Sequence, residues 1–168
     1  MPDVFTKAKR SEVMSRIRSR GNKDTELALT RLLRANGISG WRRHVEIRGS
    51  AVTSVYDRRN AGAHRAPLQR TSRRDVPTFR IKPDFVFRRV RLALFVDGCF
   101  WHGCPKHATK PKNNGAFWRR KLSANQQRDQ IVNRILRKAG WRVLRVWEHE
   151  LMRKNETRLL HRIQRALG

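Results

Sequence analysis

The chain has 168 residues, 38% of them hydrophobic and five of them tryptophan, which is material for one domain around one core. Its 40 Lys and Arg against 13 Asp and Glu leave a formal charge of +27 at a mean hydropathy of −0.75; a compact fold so charged repels itself unless a polyanion offsets it, and nucleic acid does so with counterion release. No stretch approaches the roughly 18 apolar residues of a membrane span, Met1–Lys7 has no apolar signal core, and two cysteines make no disulfide framework; a ribosomal-type or membrane-surface protein is the other home for such charge.

In chain order, residues 11–19 predict a short basic helix, with Ser11 as N-cap and Met14 and Ile17 on one face. Residues 23–36 predict a second helix with Leu29, Leu32 and Leu33 as its apolar stripe and Gly37 at its αL cap. Trp41 to Ile47 reads as a strand. From about 48 to 78 apolar residues are sparse and Arg58-Arg59-Asn60 and Arg73-Arg74-Asp75 stand out, so this is an arginine-rich insertion: either a solvated loop or a phosphate-contacting arm. Arg80 to Phe87 predicts a strand entered through Pro83, and Leu92–Val96 a buried strand. A loop over 99–116 follows, then a helix over 117–139 ended by Gly140, a strand over 141–147 and an amphipathic helix from about Leu151 to Leu167. The order α, α, β, β, β, α, β, α points to a small mixed sheet covered by helices.

Cys99, Cys104 and His107 form Cys-x4-Cys-x2-His, the kind of close spacing that supplies zinc with tetrahedral ligands. His149, just after a strand, is the candidate fourth ligand, and His102 is its local competitor. Without a metal these are two buried cysteines and surface histidines. A closed site of this sort is structural and pins the loop.

Acids are scarce, so Asp84 in one strand-like segment and Asp97 at the end of the next, thirteen residues on, draw notice. A tight turn between adjacent strands brings them together, and two carboxylates, or one carboxylate and a backbone carbonyl, hold Mg²⁺ for phosphodiester hydrolysis; otherwise they are strand-end caps. Glu26, early in its helix, either reaches the same site or serves the helix dipole. His102, five residues past Asp97, suits proton transfer with an attacking water if it is not a zinc ligand. Phe100 and Trp101 between glycines, and Phe117 and Trp118 beside Arg119, Arg120 and Lys121, are either core or wedges that enter a base stack.

Phe95-Val96-Asp97-Gly98-Cys99-Phe100-Trp101-His102-Gly103-Cys104-Pro105-Lys106-His107 resembles the very-short-patch (Vsr-type) mismatch repair endonucleases. So do Lys82–Phe87, Phe117–Leu122 with Asn125, Arg128 and Asp129, Gly140–Glu148, and the N-terminal Arg10-Ser11, Met14, Ile17 and Thr25-Glu26-Leu27; the likeness covers roughly 4–47 and 80–152. The resemblance implies a PD-(D/E)xK-like nuclease fold and an enzyme that nicks duplex DNA 5′ of the thymine in a T·G mismatch, a product of 5-methylcytosine deamination. It makes Asp84 the central Mg²⁺ ligand, the Val96 carbonyl a second ligand, His102 the general acid/base and Glu26 a supporting acid. Cys99, Cys104, His107 and His149 match structural Zn²⁺ positions. Phe100, Trp101 and Trp118 match mismatch wedges, on a DNA-binding face with Asn125, Arg119, Arg120 and Lys121. Asp97 stands where the wider superfamily has lysine and some Vsr enzymes histidine, so it is a metal ligand, a water positioner or both.

The family has a short turn where this chain carries the 48–78 insertion. The expectation is therefore a single domain over 1–168, a cytoplasmic, nucleoid-associated, bacterial-type monomer acting on double-stranded DNA beside other mismatch-repair proteins. The competing readings are a restriction or defence endonuclease without T·G specificity and a non-catalytic, zinc-stapled DNA-binding module.

Overall fold

A computed structural model describes residues 25–50, 78–109 and 114–168. The expected helix over 11–19 and residues 51–77 of the insertion lie outside these residues. The first described element is α1 (Glu26–Ala35), whose Leu29, Leu32 and Leu33 are buried because their spacing sets them on one face. It closes at Gly37 (φ +66°), whose N–H donates to the Arg34 carbonyl (3.1 Å) while Ile38 N–H donates to Leu33 (2.9 Å), a paired closure that needs a left-handed residue. Gly140 (φ +76°) ends the long helix in the same way.

Six strands follow α1: β1 (Trp41–Arg43), β2 (Ile47–Ser50), β3 (Thr78–Ile81), β4 (Phe85–Phe87), β5 (Leu92–Asp97) and, after the helix α2 (Gly115–Lys138), β6 (Arg142–Trp147). Two 3₁₀ turns, Glu148–Leu151 and Arg153–Asn155, lead into α3 (Glu156–Leu167). The main sheet has the order β1-β4-β5-β6. β1, β4 and β5 run antiparallel in turn, and β5 pairs parallel with β6, a pairing that needs the crossover α2 provides. β2 and β3 form a separate antiparallel ribbon.

Strand alternation divides the core in two. Phe85, Phe87, Leu92, Leu94 and Val146 pack with α1 and with Leu159 and Ile163 of α3. Val86 and Ala93 pack on the opposite face with Leu136 of α2 and with Ile47, Phe79 and Ile81 of the ribbon. β5 is buried on both faces, which explains its unbroken apolar run. Each fully buried Leu or Phe contributes about 1.5–3 kcal/mol. The result is the small mixed sheet flanked by helices that the pattern of elements predicts. No helix among the described residues is long and apolar enough to cross a membrane.

Three expected elements are drawn differently. The strand over 41–47 is two strands, because His44 turns the chain at φ +53°. The strand over 80–87 is split between two sheets: Pro83 has no N–H for a ladder, and Asp84 lies in the connection rather than within a strand. The last helix begins at Glu156 rather than near Leu151, the interval being taken by the 3₁₀ turns. The ends of the insertion are paired strand, with Ser50 opposite Thr78 and Gly49 opposite Phe79.

Candidate active site and metal centre

Phe85 pairs with Leu94, so Asp84, one residue earlier, falls beside the C-terminal half of β5. Its Oδ2 accepts a 2.7 Å hydrogen bond from Val96 N–H. Burial pushes the Asp84 carboxyl up to about 6; the Val96 bond opposes this, and the charges of Glu26 and Asp97 add to it. Glu26 opens α1 and is only 5% exposed. Arg43 Nη2 donates to its Oε2 at 2.5 Å, and His44 Nε2 lies 3.0 Å from the same oxygen. The turn at His44 also lets its N–H donate to the Asp84 carbonyl (3.2 Å). Donor atoms of Glu26, His44 and Asp84 all lie within 4.8 Å of one another. Carboxylate-rich donors beside a burial-strained Asp84 suit a hard divalent cation.

Asp97 and His102 belong to a network that reaches α2. Arg145 Nη1 donates to both oxygens of Asp97 (2.7 and 2.9 Å), Nη2 donates to Asp129 Oδ1 (3.1 Å), and Nε donates to Asn133 Oδ1 (3.0 Å). The other Asp129 oxygen lies 2.6 Å from His102 Nδ1, whereas Asp97 Oδ1 is 3.7 Å from it. A cavity of about 900 Å³ joins the two groups, and Glu26, Asp84, Val96, Asp97, His102, Asp129 and Arg145 share its wall with Phe100, Trp101, Arg80, Lys82 and Arg128.

On the far side of the same loop the structure brings together Cys99, Cys104, His107 and His149. His149 Nδ1 is 3.3 Å from Cys99 Sγ and 3.6 Å from Cys104 Sγ, and His107 Nδ1 is 3.8 Å from Cys104 Sγ. A tetrahedral zinc with its usual bond lengths needs S···N edges of about 3.5 Å, so these donors fit it. Burial raises the Cys99 thiol and lowers His149, to which the neighbouring His107 charge adds. His102, the local competitor, faces Asp129 instead. Glu148 couples the two regions: its Oε2 accepts the Cys99 N–H (3.1 Å), and its side chain lines the cavity.

The aromatic residues form one cluster. Phe100 meets Trp101 at 5.1 Å and Trp118 at 5.2 Å between ring centroids, and Phe117 packs on Trp118 at 5.3 Å while staying 53% exposed. Arg119, Arg120 and Lys121 are exposed beside it. Asn125 is turned inward, and its Nδ2 donates to the Trp101 carbonyl (2.9 Å), fixing the loop from α2.

A family model described as DNA mismatch endonuclease Vsr matches residues 2–61 and 70–109. The chain belongs to that family. Its relatives include the type II nicking enzyme V.NmeAIP of Neisseria meningitidis serogroup A, 32% identical over 156 residues, covering 92% of this chain and 87% of the relative. The type II nicking enzyme V.NaeI of Lentzea aerocolonigenes is 55% identical over 71 residues, 42% of this chain and 43% of the relative. The DNA mismatch endonuclease Vsr of Escherichia coli K12 is 41% identical over 68 residues, 40% of this chain and 44% of the relative. The chain thus spans less than half the length of these last two in the matched region.

Sequence reasoning missed Arg145 and His44 and assigned no task to Asp129 or Glu148. Arg145 carried a signal: in β6 it shares a face with Trp141 and Val143, which pack on the core, and a cation at such a place needs an anion. His44 carried none, because its role depends on a left-handed turn inside a run of basic residues.

Proposed function

We propose that the whole chain, residues 1–168, is one Mg²⁺-dependent DNA endonuclease domain that nicks duplex DNA 5′ of the thymine in a T·G mismatch. Family membership supports the reaction class, and the observation that carries the reading is the convergence of Asp84, Glu26, Asp97 and His102 on one cavity in a chain of charge +27. β4 and β5, with Asp84 at the entrance of one and Asp97 at the end of the other, support a PD-(D/E)xK-like core.

In this mechanism Asp84 and the Val96 carbonyl would hold Mg²⁺, which would supply charge stabilisation at the scissile phosphate. Val96 N–H holds one Asp84 oxygen, fixing the carboxylate. With Asp129 accepting from His102 Nδ1, Nε2 is left to accept the proton of the attacking water and return it to the leaving oxygen. Glu26 holds Arg43 and His44 beside the cavity it lines. Cys99, Cys104, His107 and His149 would hold structural Zn²⁺, which would keep His102 and the Phe100-Trp101 pair in place. Phe100, Trp101 and Trp118 part the bases beside the mismatch. Arg119, Arg120 and Lys121 contact phosphate, and Asn125 supports the wedge.

The names of the nicking-enzyme relatives favour a second reading, nicking tied to a restriction system without T·G dependence. Cleavage of a T·G duplex beside its T·A counterpart, with flanking sequence varied, separates them. The mismatch reading expects T·G nicking at least about a hundredfold faster, of the order of one lost specific base contact or two; equal rates on both duplexes favour the second.

A further inference from the structure

We infer that Arg145 is the positioning residue of this site: by bridging Asp97 and Asp129 it holds Asp129 against His102 and keeps Asp97 out of the cation's shell. Its catalytic consequence rests on the endonuclease reading above; its geometry does not. All three guanidinium nitrogens are engaged, on Asp97, Asp129 and Asn133. The group also lies 4.7 Å from the centroid of the Phe95 ring, so it is fixed in plane as well as at its ends.

Asp129 and Asn133 stand one turn apart on α2, and Asp97 ends β5. Arg145 therefore ties the crossover helix to the sheet where the His102 loop departs. Both Asp97 oxygens face the guanidinium, whose side chain is 18% exposed. A divalent ion on Asp97 would sit beside that half-buried positive charge, which opposes binding. Among the described residues no such cation is hydrogen-bonded to Asp84, whose Oδ2 accepts the Val96 N–H. The two aspartates, similar in sequence, thus have different tasks. A lysine cannot replace the fork, because one ammonium on a flexible stem does not hold two carboxylates and an amide in fixed register.

The test uses the full chain, zinc-loaded, as wild type, Arg145→Lys, Arg145→Gln, Asp97→Asn and the Arg145→Gln/Asp97→Asn double variant. Three quantities are read: kcat and KM for nicking a T·G duplex, Mn²⁺ binding by EPR without DNA, and the His102 ring proton by long-range ¹H–¹⁵N spectra. Arg145→Lys, which keeps the charge and so the fold, lowers kcat by about a hundredfold, the cost of a misplaced catalytic group, with KM unchanged. Its His102 no longer holds the proton on Nδ1. Asp97→Asn binds Mn²⁺ as tightly as wild type, and the double variant loses no more activity than the worse single one. Wild-type kcat and an intact Nδ1–H in Arg145→Lys overturn the proposal, as does loss of Mn²⁺ binding in Asp97→Asn. If the wild type nicks no duplex, the endonuclease reading fails by itself, and the Mn²⁺ and His102 measurements still decide the roles of Asp97 and Arg145.

Discussion

The loop from Gly98 to His107 has two sides that solve opposite electrostatic problems. On one side Asp97, Asp129, Arg145 and His102 satisfy one another through ion pairs and hydrogen bonds. On the other, the donor atoms of two thiols and two imidazoles sit within 4.8 Å of one another, with burial opposing the thiolate of Cys99. The first arrangement assembles from protein charges alone. The second is a donor set that suits a cation able to hold thiolates, and with such a cation bound, binding and folding would be one event there. Asp84 lies between these cases: it is held by one backbone N–H, and burial keeps its carboxyl near 6. An oxygen donor so placed suits an exchangeable cation.

The largest effect expected from this contrast is on the cysteine side. Cys104→Ser should abolish zinc binding and the cooperative melt, since structural zinc contributes on the order of 10 kcal/mol of coupled binding and folding; metal analysis with circular dichroism checks it, and a folded, zinc-free variant would break the comparison. On the other side His102→Ala should keep its zinc and its fold while nicking about 10²–10⁴-fold more slowly, which paired zinc analysis and single-turnover kinetics measure.

A subtler effect concerns pH. Asp84 has a folded value of about 6 against an ordinary 3.8. Its neutral form therefore favours the fold, and that contribution is lost as pH rises through 6. Without divalent ion Asp84→Asn should then be more stable than wild type at pH 8, by up to about 3 kcal/mol, and the gain should shrink as pH falls below 6. Urea unfolding across pH measures this, and a gain that does not change with pH contradicts it. The smallest expected effect is from Asn125→Ala, which leaves the Trp101 carbonyl without its 2.9 Å donor. It should cost about 1 kcal/mol, seen as a modest fall in Tm; no change in Tm would remove Asn125 from the support of the loop.

Much of this was legible in the residues because it was local. Cys-x4-Cys-x2-His put three donors in one loop, the 3.6-residue stripe of α1 named its buried face, and the apolar run of β5 marked a strand covered on both sides. The return of His149 could be expected from its place after β6, since β5 and β6 are neighbours in a parallel pair. What stayed hidden depends on contacts distant in sequence. The Asp97–Arg145 pair spans 48 positions, and the His44–Glu26 contact follows from a turn that splits one expected strand into two. In the sequence Pro83 reads as the entry to a strand. Its lack of a donor proved to matter more, because it separates the ribbon from the main sheet and leaves Asp84 in the connection beside β5.

On this reading the carboxylate side carries the chemistry and the cysteine side carries the fold. Asp84→Ala tests it most directly, with nicking of a T·G duplex in Mg²⁺, duplex binding and zinc content measured on one preparation. The expected result is about one zinc per chain, binding near wild type and nicking reduced by at least about a thousandfold, the several kcal/mol a catalytic metal supplies. Full Mg²⁺-dependent nicking by Asp84→Ala would contradict it.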